Sequence, residues 1–256
     1  MKIALVTRYS VKHARFLSSA GIGSALERIE WLQEREALFK ATCLPSVLAQ
    51  DTLPDVWMIL FAIGDEQVAK QIIPVGCDWI QPIFLPDECS TGESFKNFID
   101  QSLKSYFTDV EDDVLTARLD SDDCIARTYF SDLLVAADKT DEGKKYDLFI
   151  FTRGVRWNGR ENRIINYKSS PFLATRSSLG KASENIINSP YFNHTEAHSR
   201  PHAVVSPDAP AWLQVIHGRN ISNALDLTRR YLGELDNDEI LNLFGLESRA
   251  LPFAQG

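Results

Sequence analysis

Cysteine is scarce: Cys43, Cys77, Cys89 and Cys124 are the only four among 256 residues. No pair has Cys-x-x-Cys spacing, so they read as free thiols in a reducing compartment. Long apolar runs are also missing. The longest, Val56 to Ile63, falls far short of the ~20 residues that span a bilayer. The opening stretch, Met1 to Arg8, has too few apolar residues for a signal peptide. A soluble cytoplasmic protein is expected, with a peripheral membrane contact left open. Nor is there a basic surplus: 27 Lys and Arg stand against 35 Asp and Glu, a net charge of −8. This argues against nucleic acid as the main ligand. An anionic ligand would need a local cation, from a few arginines, a helix N-terminus or a metal. Internal repeats and low-complexity tracts are absent.

What is present is ordinary globular material, 44% apolar and 24% charged, enough chain to bury a core without disulfides or a structural metal. A single domain over 1–256 is expected, with residues 1–125 as a nucleotide-binding half. Residues 126–256 would form an acceptor-side half and C-terminal tail. Apolar runs at Ile3–Val6, Val56–Ala62, Trp79–Phe84, Val114–Leu119, Leu148–Phe151, Phe172–Thr175 and Trp212–Ile216 read as strands. Helical spacing runs from Leu38 to Leu48, where Pro45 should kink the helix or begin a second one. Further helices are expected over Glu66–Ile72, Glu93–Phe107 and Ala126–Ala137, and around Asp238–Phe244. The Asn158-Gly159 pair signals a two-residue hairpin, with Arg163–Tyr167 returning. Residues Asn193 to Pro210, rich in His, Pro and Ser, read as a long lid-like loop. Ser18 to Ser24 is a polar, glycine-containing stretch. The alternation of strand and helix predicts an α/β fold, a three-layer α/β/α sandwich with a mostly parallel mixed sheet. Such sheets bind ligands at the carboxyl ends of their strands. Arg8, Asp65 and Asp120 to Asp123 all fall at expected strand ends.

The sharpest local signal is Arg118-Leu119-Asp120-Ser121-Asp122-Asp123. Clustered carboxylates repel one another and need a cation. At a strand end, residues i and i+2 point the same way, so Asp120 and Asp122 can converge on one ion. Oxygen ligands favour Mg²⁺ or Mn²⁺. The plainer reading is an acidic turn that caps the helix near Ala126. An EF-hand is a poor fit, because Cys124 and Ile125 stand where oxygen and glycine are needed. His217, after the apolar Trp212–Ile216, offers a third metal ligand. The spacing of His194, His198 and His202 would make a metal face on a helix, but Pro201 argues against one.

The strings Leu44-Pro45-Ser46-Val47-Leu48-Ala49-Gln50, Trp57 with its apolar run, Arg118 to Asp123, and Trp212-Leu213-Gln214-Val215-Ile216-His217-Gly218-Arg219-Asn220 together resemble the rhamnosyltransferase family of bacterial glycosyltransferases. The resemblance implies an A-type glycosyltransferase fold. It further implies metal-dependent transfer of a hexosyl group, rhamnose by the family name, from a nucleoside diphosphate sugar to a saccharide-type acceptor, a glycan or lipid-linked glycan. By position, Asp122 would be the main Mn²⁺ or Mg²⁺ ligand, Asp120 would touch the ribose or the ion, and His217 would close the site. Arg8 and Arg118 would face phosphate or balance charge, with Asp123 beside them on the nucleotide side. Asp65 would accept hydrogen bonds from the base. The usual Pro-x-Tyr-Asn at the first strand end is replaced by Thr7-Arg8-Tyr9-Ser10. An inverting enzyme needs a base for the acceptor hydroxyl; the long loop offers Glu196, preferred, and Asp208. The competing readings are a non-catalytic nucleotide-sugar or glycan-binding module and a metal-dependent phosphohydrolase. The latter is disfavoured because no Asp-x-Asp-x-Thr occurs.

Overall fold

In the computed structural model, residues 1–12, 22–107, 113–141, 146–178, 190–191, 194–217 and 231–247 are described. The chain runs β1 (Lys2–Arg8), α1 (Ala25–Ala41), α2 (Cys43–Leu48), β2 (Val56–Ala62), α3 (Glu66–Ile72), β3 (Ile80–Leu85), α4 (Gly92–Tyr106) and β4 (Asp113–Asp120). It continues through β5 (Cys124–Ile125), α5 (Tyr129–Asp141), β6 (Leu148–Phe151), β7 (Arg153–Trp157), β8 (Asn162–Asn166) and β9 (Leu173–Ser178). A 3₁₀ helix (His194–Ser199), β10 (Ala203–Val205), β11 (Trp212–Val215) and α6 (Asn237–Phe244) complete it.

The main sheet has seven strands in the order β10-β6-β9-β4-β1-β2-β3. All its pairings are parallel except those of β9, which runs antiparallel to both β4 and β6. β2 is buried along its whole length, as an apolar run covered on both faces must be. One face takes Trp31 and Phe39 of α1, Val47 of α2, Ile72 of α3 and Phe130 and Leu133 of α5, packed on Trp57, Ile59 and Leu115. The other takes Phe95, Ile99 and Leu103 of α4, packed on Val6, Met58 and Leu60. This is the three-layer sandwich expected from the alternation of elements. Pro45 lies in the first turn of α2, where a missing N–H costs no hydrogen bond. No helix among the described residues is long and apolar enough to cross a membrane.

A second sheet, β5-β11-β7-β8, packs Trp157, Leu213 and Val215 against Ile240 and Phe244 of α6. Its Ile125 and Trp212 belong to the core of the first sheet, which joins the two. Trp212 lies across Gly154: a β-carbon there would come within 2.0 Å of the indole. The indole stacks on Phe172 at 4.6 Å between centroids and donates to the Phe151 carbonyl at 2.8 Å. α6 is held at its start by a reciprocal cap between Asp236 and Glu239 and ends at Gly245 with φ 65°.

Three local expectations are corrected. The hairpin loop holds residues 158–161, because Trp157 pairs with Asn162; the Asn158 carboxamide accepts from the N–H groups of Arg160 and Glu161 and so builds a wider turn. Of the expected loop 193–210, residue 193 lies outside the described residues, and 194–210 is not a free loop: it carries the 3₁₀ helix and β10, which adds in parallel to β6 at the sheet edge. The helix expected from Ala126 begins at Tyr129, because Cys124 and Ile125 are drawn into pairing with β11.

Candidate active site

The strand order reverses between β1 and β4: β2 and β3 lie on one side of β1, and β4 and β9 on the other. Crevices form at such switch points. There the last residues of the two strands, Arg8 and Asp120, are register partners, and the Arg8 guanidinium donates to Asp120 Oδ1 at 2.9 Å. Burial pushes the Asp120 carboxyl up, but Arg8, Arg118 and Arg35 outweigh it and bring its pKa down to about 2. Asp120 in turn holds the Arg8 proton more firmly than usual. Arg118, its pKa lowered chiefly by burial, donates to the carbonyls of Pro171 at 2.8 Å and Pro190 at 3.4 Å. The Tyr191 ring carries both guanidiniums, with centroid distances of 5.4 Å to Arg8 and 5.8 Å to Arg118. Its hydroxyl donates to the Val6 carbonyl at 2.8 Å.

After Asp120 the chain turns at Ser121 and Asp122. Strand alternation therefore ends, and Asp120 and Asp122 take different partners. Antiparallel pairing of β5 with β11 sets Cys124 opposite Leu213 and brings the end of β11 back over the turn. Val215 N–H donates to Asp123 Oδ1 at 3.0 Å. His217, 95 residues from Asp122 in sequence, lies with Nε2 3.0 Å from Asp122 Oδ2. A carboxylate only accepts, so Nε2 carries the proton of that bond. Burial raises the Asp122 pKa, the hydrogen bond from His217 lowers it, and the net direction is down. Asp123 is driven well up, by burial first and then by Asp122 and Asp120.

Two arginines of α1 complete the setting. Arg35 stacks over Trp31 at 4.6 Å and donates to the Ser121 hydroxyl. Arg28 grips Asp65 with both terminal nitrogens, at 3.1 and 2.7 Å, while the Ser10 hydroxyl donates to the same carboxylate at 2.6 Å. Asp65, 7% exposed, thus clamps α1 to the ends of β1 and β2. Its oxygens already take three hydrogen bonds, where an acceptor for a base had been expected. Residues 28 and 35 are two helical turns apart, on one face with Trp31 between. Sequence reading passed over both arginines; that spacing was the available signal. Glu196 and Asp208 are both exposed, on the 3₁₀ helix and before β11. His194, His198 and His202 take separate partners: the Ser169 carbonyl, the Ser169 hydroxyl and the Arg200 carbonyl. Gly218, Arg219, Asn220 and most of Ser18–Ser24 lie outside the described residues.

Among the described residues no three His, Cys, Asp or Glu side chains are grouped to hold a metal by themselves. Asp122 and His217 do supply one oxygen and one imidazole nitrogen 3.0 Å apart. Such a pair fits Mg²⁺ or Mn²⁺, which commonly take one or two protein ligands and complete the shell with phosphate oxygens and water. An ion there would replace the proton now shared between the two side chains.

A family profile described as "Putative rhamnosyl transferase" matches residues 22–229. No curated protein matches significantly by sequence. Among solved structures, residues 1–349 of S. aureus TarS align over 84% of this chain and 60% of that one, at 10% identity and a TM-score of 0.45. A longer S. aureus TarS structure aligns over 84% and 37%, at 13% identity and 0.44. A homologue of Mycobacterium tuberculosis rv0371c from mycobacterium sp. strain JC1 aligns over 84% and 91%, at 12% identity and 0.40. The chain therefore spans less than two thirds of the two TarS chains.

Proposed function

This chain belongs to the "Putative rhamnosyl transferase" family, and from that membership we propose that it transfers a sugar, rhamnose by the family's name, from a nucleoside diphosphate donor to a glycan or lipid-linked glycan. It is a glycosyltransferase, and the donor, acceptor and metal are our reading. The observation that carries the reading is the meeting of Asp122 and His217 at 3.0 Å, beside the switch point where Arg8 and Asp120 pair.

Asp122 and His217 would hold Mn²⁺ or Mg²⁺. When bound, the ion supplies Lewis-acid neutralisation of the leaving diphosphate. Arg8, with 42% of its side chain exposed, offers a guanidinium to the same phosphates. Asp120 keeps Arg8 aimed across the crevice and presents a carboxylate to the ribose or the ion. The Tyr191 ring supports Arg8 from below. Arg35 orders the acidic turn through Ser121. Asp123 ties the turn to β11, which keeps His217 in reach. Residues 1–125 would serve the nucleotide, and residues 126–256 the acceptor.

The test is calorimetry of UDP, GDP and dTDP binding with Mn²⁺ or with EDTA. One nucleotide is expected to bind at least ten-fold more tightly with Mn²⁺. Asp122→Asn should remove most of that gain while the metal-free protein keeps its circular dichroism. Equal affinity with and without Mn²⁺ for all three would overturn the metal role.

A further inference from the structure

His194 opens the 3₁₀ helix His194–Ser199 and is half-buried. Its Nδ1 lies 2.7 Å from the Ser169 carbonyl oxygen. A carbonyl only accepts, so Nδ1 carries the hydrogen and Nε2 is the nitrogen with the lone pair in the neutral ring. Burial, the largest influence, lowers the imidazole's pKa below 6.5; the Ser169 bond and Asp120 oppose this, and Arg118 and Arg8 reinforce it. Burial therefore favours the neutral ring. The same backbone bond fixes its orientation, with the Tyr167 ring set edge-on at 6.4 Å.

The segments that hold His194 also hold the acidic site. Pro171, two residues after Ser169, receives Arg118 Nε, and Pro190 receives Arg118 Nη1. Tyr191 lies under Arg8 and Arg118, and three residues span at most about 10 Å. His194 is thus tied from both sides to the ends of β1 and β4, within electrostatic reach of Arg8, Arg118 and Asp120.

We propose that His194, through Nε2, is the general base that deprotonates the acceptor hydroxyl. The inference rests on the glycosyl-transfer reading above. The acceptor oxygen bonds to the anomeric carbon as the bond from that carbon to the diphosphate oxygen breaks. The electron pair of that bond leaves with the diphosphate, and the hydroxyl proton passes to Nε2. This is a single displacement that inverts the anomeric centre. A neutral imidazole is suited to accept a proton near pH 7, and His194 is half-buried and held by a backbone bond, whereas Glu196 and Asp208 are exposed.

The test uses the full chain with Mn²⁺ and UDP-glucose, GDP-mannose and dTDP-rhamnose as donors. Release of nucleoside diphosphate to water and to an oligosaccharide mixture is followed. H194N retains an N–H for the Ser169 carbonyl but has no base. Its kcat is expected to fall roughly 10²- to 10⁴-fold, with donor KM and nucleotide affinity within about two-fold of wild type. Added imidazole should restore part of the rate. Nitrogen-15 spectra should give His194 as the neutral Nδ1–H form at pH 7. Near-normal turnover of H194N, loss of turnover in E196Q while H194N keeps it, or an Nε2–H form in the spectra would overturn the assignment. A wild-type protein that consumes none of the three donors would instead overturn the transfer reading, and this role with it.

Discussion

Asp100 of α4 has one carboxyl oxygen that is buried and has no hydrogen-bond partner among the described residues. Burial pushes its pKa up to about 6, against the pull of Lys104 and Lys96 and with the help of Glu93. A carboxyl raised above its unfolded value favours the folded state most at low pH, and that advantage is lost as pH rises through about 6. Asp100→Asn is therefore expected to stabilise the protein by about 1 kcal/mol at pH 8, or about 2–4 °C in Tm, and to be neutral near pH 4. Thermal melts of the two proteins at both pH values check this; equal melting points at pH 8 would contradict it. At this scale the sequence was legible where charge was dense. Asp120, Ser121, Asp122 and Asp123 stood out because repelling carboxylates ask for partners. Arg28 and Arg35 did not, because an arginine on a helix usually marks a solvated face; here Arg28 grips Asp65 and Arg35 reaches Ser121. His194 was seen only as part of a histidine spacing. Its meaning depends on the Ser169 carbonyl, 25 residues away.

Among the elements, β7 and β11 depend on one missing side chain. Trp212 and Gly154 are register partners, and the indole fills the place of a β-carbon, 2.0 Å from its ideal position. The Gly154→Ala methyl would have to push Trp212 off Phe172 and away from the Phe151 carbonyl. A loss of about 3 kcal/mol or more is expected in urea unfolding. Nucleoside diphosphate binding with Mn²⁺ should weaken too, since His217 lies just past the end of β11; a variant with wild-type stability would refute the packing account. The strands with continuous apolar runs were readable from sequence, because burial on both faces leaves no alternation to confuse. β5 and β10 were not. Each is only two or three residues long, too short for a period, and each exists because a distant strand supplies its hydrogen bonds. The Asn158-Gly159 turn was located correctly but its width was not, because the Asn158 side chain, rather than the glycine alone, sets the closure.

Across the whole molecule, the core that fills one face of the main sheet also takes in Ile125 and Trp212 of the second. A unit that shares its core in this way should unfold together. Far-ultraviolet and near-ultraviolet dichroism are expected to give one coincident transition in urea; two separated transitions would mean that residues 1–125 and 126–256 fold apart. The acidic turn is where the two sheets meet: β4 ends at Asp120 in one, β5 begins at Cys124 in the other, and residues 121–123 lie between. An added residue there would reverse the facing of Cys124 and Ile125, forcing each into the core that the other now fills, and would shift Asp122 away from His217. The number of letters in this interval is therefore as constrained over generations as the acid at its centre. Set beside its kin, this chain should show no gap across residues 121–123 and a carboxylate kept at position 122, where His217 meets it.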